Sequence, residues 1–598
     1  MSFTTPEGTA GRAVRREDGD FDYPRPQFRR ERWMSLDGTW SFARTSERRP
    51  ERVRWNERIE VPYPPESQLS GLSVRDEMPV VWYARSFAIP GEWADERLLL
   101  HFGAVDYRAE VWLNGHRAGV HEGGYTPFTI DITELLVDSA EQRLLVRVED
   151  PPADLHQPRG KQDWQPRPHS IWYPRTTGIW QPVWLEPVSR SYIRSLRLTP
   201  RLEEFAVALE LEIAGEHEGL EVEFELSLHG ELLARSDAAL LARRSRHTIH
   251  LDDPGIDDAR NELLWSPERP TLLDLTITLR QGSEAVDRVE SYTGLRSVEA
   301  REGRFFLNGR PYFQRLVLDQ GYWNESLLAA PSPDALRADV ELAKAMGFNG
   351  VRKHQKLEDP RYLYWADKLG LLVWNELPSA YSFGFTSSSR LVHACTEAVE
   401  RDYNHPCVVV WVPFNESWGV PDLPKSAPQR HLVTAVYHLL RALDGSRVVV
   451  DNDGWEHGLT DLFTIHDYSR DPDDLIRRYG DLSRLRDQGA GNMPAGRVLG
   501  LAGAESPAAV LISEFGGIRF ADADGGGWGY SEADSASDLL QRLGELVTSL
   551  TTSDAVVGYC YTQFSDTFQE QNGLLFADRR PKVPLSSLAE VFTKGGRG

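Results

Sequence analysis

After Phe305 the sequence changes grammar, and that change constrains the fold more than any other feature of the chain. Ser332-Pro333-Asp334 opens a helix, with serine as N-cap and proline in the first turn. Leu336, Val340 and Ala343 keep helical spacing, and Gly347 stops it. A strand follows at 348–352, then a helix from Asp359-Pro360 to Gly370, then a strand at 371–374. Another helix runs up to Asn404-His405-Pro406. Apolar strands then recur at 407–412, 447–450, 462–465, 510–512 and 556–561. With a first strand near 312–316 these make eight, alternating with helices over about 290 residues, which predicts a (β/α)₈ TIM barrel.

The preceding half is written in short strands and turns. Residues 38–42 and 81–87 alternate, and Val111-Trp112-Leu113-Asn114-Gly115-His116 is a strand ending in an Asn-Gly turn, whose positive φ angles suit a tight hairpin. This predicts a jelly roll over residues 21–187. Residues 188–297 alternate again, most clearly at Val222-Glu223-Phe224-Glu225-Leu226, and predict an immunoglobulin-like β-sandwich without its disulfide. The barrel takes residues 298–598. Residues 1–20 form a polar tail without the apolar core of a secretory signal, so the chain as it stands is expected in the cytoplasm.

Charge narrows the partners. Lys and Arg number 67 and Asp and Glu 90, a net −23 that repels a phosphate backbone and an anionic membrane face. No apolar run approaches the ~18–20 residues of a membrane span. Neither nucleic acid nor membrane is therefore expected. Cys395, Cys407 and Cys560 are odd in number and embedded in apolar segments, which predicts buried thiols rather than disulfides or a zinc site.

In such a barrel the reactive side chains stand at the C-terminal ends of strands. After the fourth strand comes Phe414-Asn415-Glu416-Ser417-Trp418, and at the end of the seventh Ser513-Glu514-Phe515-Gly516. Two carboxyl groups facing one barrel mouth are what glycosidic bond cleavage needs. One protonates the leaving oxygen, and the other attacks or activates water at the anomeric carbon.

Asn404-His405-Pro406-Cys407-Val408-Val409-Val410-Trp411 through Asn415-Glu416 resembles the acid/base signature of glycoside hydrolase family 2, and Ser513-Glu514-Phe515-Gly516-Gly517 resembles its nucleophile strand. Phe102-Gly103-Ala104-Val105-Asp106 with Val111-Trp112-Leu113-Asn114-Gly115 looks like the family's sugar-binding jelly roll. The resemblance covers nearly the whole chain, in the family's domain order. It implies a retaining double displacement, with Glu514 as nucleophile and Glu416 as general acid and then base, the two carboxyls about 5–5.5 Å apart. Anionic Glu514 then favours the protonated form of Glu416 until the first step neutralises it. Arg352 matches the arginine that holds the nucleophile, Tyr468 the tyrosine that hydrogen-bonds it, and Asn415 the side chain on the sugar 2-hydroxyl. His354, His466, Asp319, Glu376, Trp418 and Gln563 complete the expected substrate-binding set. No cofactor is implied. The resemblance admits a magnesium or sodium ion beside the site, as some family β-galactosidases hold, and dimers or tetramers.

The stretch Glu570-Gln571-Asn572 lacks the lysine of the Asn-x-Lys pair by which the family's β-glucuronidases clamp a sugar carboxylate, and carries an acid instead. This favours a neutral, β-galactosidase-like glycone over a uronate, with galactofuranoside, arabinoside and glucuronide as alternatives. Two rivals differ in kind: a carbohydrate-binding protein whose barrel has lost catalysis, and a metal-dependent barrel hydrolase using His354, His466 and Asp467. Of the 18 tryptophans, Trp82, Trp112 and Trp411 lie within strands and are expected in cores, whereas Trp323, Trp418, Trp455 and Trp528 are expected to line a pocket. The block from Trp164 to Trp184 is too aromatic for an ordinary linker.

Overall fold

The computed structural model describes residues 22–251, 262–480, 494–501, 509–520 and 526–594. The polar tail expected at 1–20 lies outside the described residues.

The N-terminal strands form two antiparallel sheets. One runs in spatial order Glu57–Val61, Gly38–Arg44, Val80–Phe87, Gln142–Glu149, Arg108–Leu113, His116–Glu122; the other Met34–Ser35, Val183–Val188, Arg97–Phe102, Phe128–Asp131. Trp40, Val81, Tyr83, Val111 and Val146 of the first share one core with Leu98, Leu100, Val183 and Leu185 of the second, closing a jelly roll. The next unit pairs a three-stranded sheet (Tyr192–Arg201, Ala206–Ala214, Arg244–His250) with a four-stranded one (Glu231–Ala239, Leu220–Leu228, Leu273–Gln281, Glu284–Thr293). Along Leu220–Leu228 the apolar residues Val222, Phe224 and Leu226 turn inward and the glutamates outward, as the period of two requires.

The C-terminal half is the barrel: β1 (Gln314–Asp319), β2 (Gly350–Lys353), β3 (Leu372–Glu376), β4 (Val408–Val412), β5 (Val448–Val449), β6 (Thr464–Asp467), β7 (Val510–Gly516) and β8 (Val556–Thr562). Every ladder is parallel, in the order β5-β4-β3-β2-β1-β8-β7-β6, so the two end strands are neighbours in sequence. Around them pack α1 (Pro333–Ala345), α2 (Pro360–Leu369), α3 (Phe385–Asp402), α4 (Ala427–Leu443), α5 (Pro472–Tyr479), α6 (Ala536–Thr551) and α7 (Leu585–Thr593). Ser332 caps α1 by accepting from the Ala335 amide, and Asp359 caps α2 by accepting from Arg361. β4 is apolar throughout because both of its faces are covered.

The connection between β5 and β6 carries no helix. The seam there is stitched by the amide of Gly454, which donates to Thr464 Oγ1 (2.9 Å), and by the amide of His466, which donates to the Gly454 carbonyl (3.4 Å). At the opposite, N-terminal end, Asn404 holds the sandwich to the barrel. Its Oδ1 accepts from the Leu198 amide (2.7 Å), and its Nδ2 donates to the Leu196 carbonyl (2.9 Å). The first half of the Asn404–Trp411 motif thus joins domains, and only its far end reaches the barrel mouth.

Candidate active site

Every strand delivers a polar side chain to the C-terminal mouth: Asp319 from β1, Arg352 from β2 with His354 just beyond, Glu376 from β3, Asn415 and Glu416 after β4, Asp453 after β5, His466 from β6 with Tyr468 beyond, Glu514 from β7, and Gln563 after β8.

Arg352 is the hub and is fully buried. Its Nε donates to Glu376 Oε2 (2.8 Å), and its Nη1 to Glu514 Oε1 (2.9 Å) and the Ser513 carbonyl (3.0 Å). Its Nη2 donates to Asn415 Oδ1 (2.6 Å) and lies 3.0 Å from Asp453 Oδ2. Burial penalises the guanidinium charge, but Asp453, Glu376 and Glu514 outweigh that and hold its pKa above the ordinary value. A planar five-donor fork suits such a cluster where a lysine would not.

Glu514 receives a second donor, the Tyr468 hydroxyl, at 2.5 Å on Oε2. Burial pushes this carboxyl up, yet the charges of His466 and Arg352 prevail and bring it below its usual range. Glu416 stands on a left-handed turn, with φ of 51° there and 58° at Ser417, a conformation that persists only where its surroundings impose it. Here the Glu416 amide donates to the Asp453 carbonyl (3.0 Å), and the Ser417 amide to Asn452 Oδ1 (2.8 Å).

His466 lies between the two glutamates. Its Nδ1 is 2.8 Å from Glu416 Oε1 and 3.4 Å from Glu514 Oε2, and its Nε2 is 2.9 Å from Asp453 Oδ2. Burial pulls its pKa down, but Glu514, Asp453 and Glu416 together push it up to about 10. The ring is therefore an imidazolium at neutral pH, donating from both nitrogens. Gly454 makes room for it: a Cβ there would meet the ring at 2.3 Å. His354 is the opposite case. Burial and the charges of Arg352 and Lys161 hold it well below the ordinary value, so it stays neutral and its Nδ1 accepts from Arg352 Nη2 (3.0 Å). Burial raises Glu376 to about 7 despite Arg352.

Two expected sugar ligands are committed to protein partners. Asp319 accepts from Lys353 Nζ (2.6 Å) and the Gly321 amide (2.8 Å), and Gln563, fully buried, accepts from Gln320 Nε2 (2.9 Å). Gln563 Nε2 keeps no hydrogen-bond partner among the described residues. Trp418 does reach the rim, its ring 5.6 Å from Trp172 and 5.5 Å from Tyr381. Trp323, expected in a pocket, is buried in the barrel core under Lys356 and Arg579. Trp455 carries Arg497 over its ring, and Trp528 is half-buried with its Nε1 on the Ser170 carbonyl (3.1 Å). Trp82 and Trp411 are fully buried, and Trp112 stacks on Trp82 at 5.3 Å.

The aromatic block after the jelly roll folds over the mouth. Trp172 meets Trp418, the Tyr173 hydroxyl donates to Glu570 Oε2 (2.5 Å), and Gln569 Nε2 donates to the carbonyls of Ser170 (2.9 Å) and Trp172 (2.7 Å). Three site residues escape the sequence reading. Asp453 was signalled by acids directly after the fifth strand, and Tyr530, stacked on Tyr468 at 3.5 Å, by the aromatic run after Glu514. Lys161, from the N-terminal domain, carries no local signal at all.

Among the described residues, two groups bring three ligand-type atoms within 4.8 Å of one another: Glu416, His466 and Glu514, and Asp367, His405 and Cys407. In the first, His466 already lies 2.8 Å from Glu416 and 2.9 Å from Asp453. In the second, Asp367 already accepts from Tyr292 (2.8 Å) and the Cys407 amide (2.7 Å) and lies 2.6 Å from His405. All three cysteines are free and buried. No helix among the described residues is long and apolar enough to cross a membrane.

Three family models match: "Glycosyl hydrolases family 2, sugar binding domain" at 58–157, "Glycosyl hydrolases family 2" at 191–296, and "Glycosyl hydrolases family 2, TIM barrel domain" at 298–482. A putative beta-glucuronidase of Formosa agariphila is 29% identical over 379 residues, covering 61% of this chain and 44% of its own length. A beta-galactosidase of Thermoanaerobacter pseudethanolicus is 27% identical over 411 residues, 65% of this chain and 51% of its own. The chain thus spans about half the length of these curated relatives. The solved Faecalibacterium prausnitzii beta-glucuronidase superposes with a TM-score of 0.75 at 23% identity, covering 96% of this chain and 99% of that one, a likeness of fold.

Proposed function

Given that the chain belongs to glycoside hydrolase family 2, we propose that it is an exo-acting retaining β-glycosidase working through a covalent glycosyl-enzyme. The observation that carries this reading is the spacing of two carboxyls: an oxygen of Glu416 and one of Glu514 lie within 4.8 Å of each other. Nearest oxygens in that range are compatible with the ~5–5.5 Å between the carboxyl groups of a retaining pair.

Glu514, kept ionised by Arg352 and His466 and oriented by Tyr468, attacks the anomeric carbon. Glu416 delivers a proton to the leaving oxygen. That proton has a store 2.8 Å away on His466 Nδ1, which Asp453 holds in place from the other side. When Glu514 becomes an ester its charge disappears, and Glu416, ionised by the proton it has just delivered, accepts a proton from the attacking water while its His466 contact steadies the carboxylate. No step calls for a metal.

For the glycone, burial holds the Glu570 carboxyl above its ordinary value at the mouth, an acid where a uronate clamp would need a cation, which favours a terminal neutral sugar. The names of the relatives favour a second reading, a β-glucuronide. A panel of nitrophenyl glycosides, with product anomers followed by NMR, tests both. Turnover with retained configuration is expected, and Glu514→Ala and Glu416→Ala should each lower kcat by at least about a thousand-fold. Wild-type rates in both variants would overturn the assignment.

A further inference from the structure

Lys161 enters the mouth from outside the barrel. The loop bearing it leaves the jelly roll and is pressed against the barrel: at Gly160 (φ 60°) a Cβ would lie 2.4 Å from the Gln355 carbonyl oxygen, so no larger residue fits. The Gly160 amide donates to the Ser379 carbonyl (3.1 Å), and the Lys161 carbonyl accepts from the Tyr173 amide (2.9 Å). The ammonium is 5.2 Å from the Trp418 ring and 5.7 Å from the Tyr173 ring. Lys161 is only 6% exposed, yet among the described residues its Nζ has no hydrogen-bond partner and no carboxylate oxygen within 4.0 Å. A buried ammonium without a partner is costly unless something else supplies acceptors. Burial lowers its pKa, opposed by the charges of Glu570, Glu514 and Glu416, and the Tyr173 ring beside it carries the hydroxyl that bonds Glu570.

Glu570 is the complementary half. It is 3% exposed, and its oxygens accept one hydrogen bond each, from Tyr173 (2.5 Å) and Asn572 (3.1 Å). A carboxylate has about four acceptor positions, so about two stay open. Tyr173 connects the halves: its ring faces Lys161 while its hydroxyl holds Glu570.

We propose that Lys161 and Glu570 form a clasp, contributed by two domains, that selects a glycone by one of its hydroxyl groups. The proposal rests on the glycosidase reading and names its specificity determinant. A sugar hydroxyl completes both partners at once, accepting from the ammonium and donating to the carboxylate. A uronate carboxylate accepts from Lys161 but has no proton for Glu570 and faces it as a second anion. The clasp therefore selects neutral sugars and stands where a carboxylate reader would be needed.

The test uses the full chain and the neutral nitrophenyl glycoside it turns over fastest. Lys161→Met and Glu570→Gln should each lower kcat/KM by about 10- to 100-fold, the range for a hydrogen bond to a charged group. The double variant should lose little more than either single one, because one hydroxyl bridges both. Lys161→Arg should recover part of the loss, and thermal midpoints separate binding from folding defects. Wild-type kcat/KM in Lys161→Met, or strictly additive losses, would overturn the clasp. So would a wild type that prefers glucuronides and loses that preference on Lys161→Met. Should no glycoside be turned over, the glycosidase reading fails on its own. Calorimetry with free galactose, arabinose, glucose and glucuronate then decides the clasp by the same criteria, and no sugar binding in any of them overturns it too.

Discussion

The floor and the roof of the mouth are built on opposite principles. On the floor, Arg352 engages Glu376, Asn415 and Glu514 and touches Asp453, and His466 is bonded on both ring nitrogens. On the roof, residues 158–173 bring aromatic rings and an ammonium without a protein partner. A densely bonded network, even with Glu376 Oε1 and Asp453 Oδ1 left without a hydrogen bond, fixes the groups that must hold geometry and charge during bond cleavage. A sparsely bonded one leaves donors and acceptors for whatever enters. The floor comes from one domain and the roof from another, so substrate choice can change without touching the reacting groups.

Breaking the floor should have the largest effect. Arg352→Met leaves three carboxylates in a buried site without their common cation. It should cost about 3–5 kcal/mol of stability, read as a lowered urea midpoint, and abolish turnover. Next comes His466. Its folded pKa of about 10 stands above the ordinary 6.5, so its contribution to stability is fully present below about pH 6.5 and is lost as pH rises through about 10. Thermal midpoints across that window should fall in the wild type, and the slope should flatten in His466→Asn. Tyr468→Phe removes one donor from Glu514 and should reduce kcat by about 10- to 100-fold with KM little changed. The roof should respond differently. Trp172→Ala should raise KM about 3- to 10-fold by loss of a stacking surface while leaving kcat nearly intact. A Trp172 variant that loses kcat instead would erase the distinction between the two regions.

Much of the floor could be read before any coordinates. Position after an apolar strand was enough to place Glu416 and Glu514 at one mouth, because a parallel barrel strand delivers its last residues to one end by construction, while Arg352, Asn415 and Tyr468 were expected there through the family resemblance. The same rule is silent on neighbours: it does not say that Asp319 already accepts from Lys353, or that Gln563 already accepts from Gln320. Trp323 shows the same limit, a tryptophan just past a strand that turns into the core. Asp453 follows a fifth strand expected at 447–450, but Asp451 stands beside it and position alone does not choose between the two acids.

The sequence by itself determined the three layers, their order, the barrel's eight strands and the pair of glutamates. Hydrophobic period, turn chemistry and strand-end position are local properties, written within a few residues of where they act. Tertiary structure alone decided the protonated His466 between the two carboxyls, the buried hub around Arg352 and the presence of Lys161 above them. A charge's state depends on what faces it across space, and Lys161 and Glu570, some 400 positions apart in the chain, meet through Tyr173 only once the jelly roll has docked on the barrel.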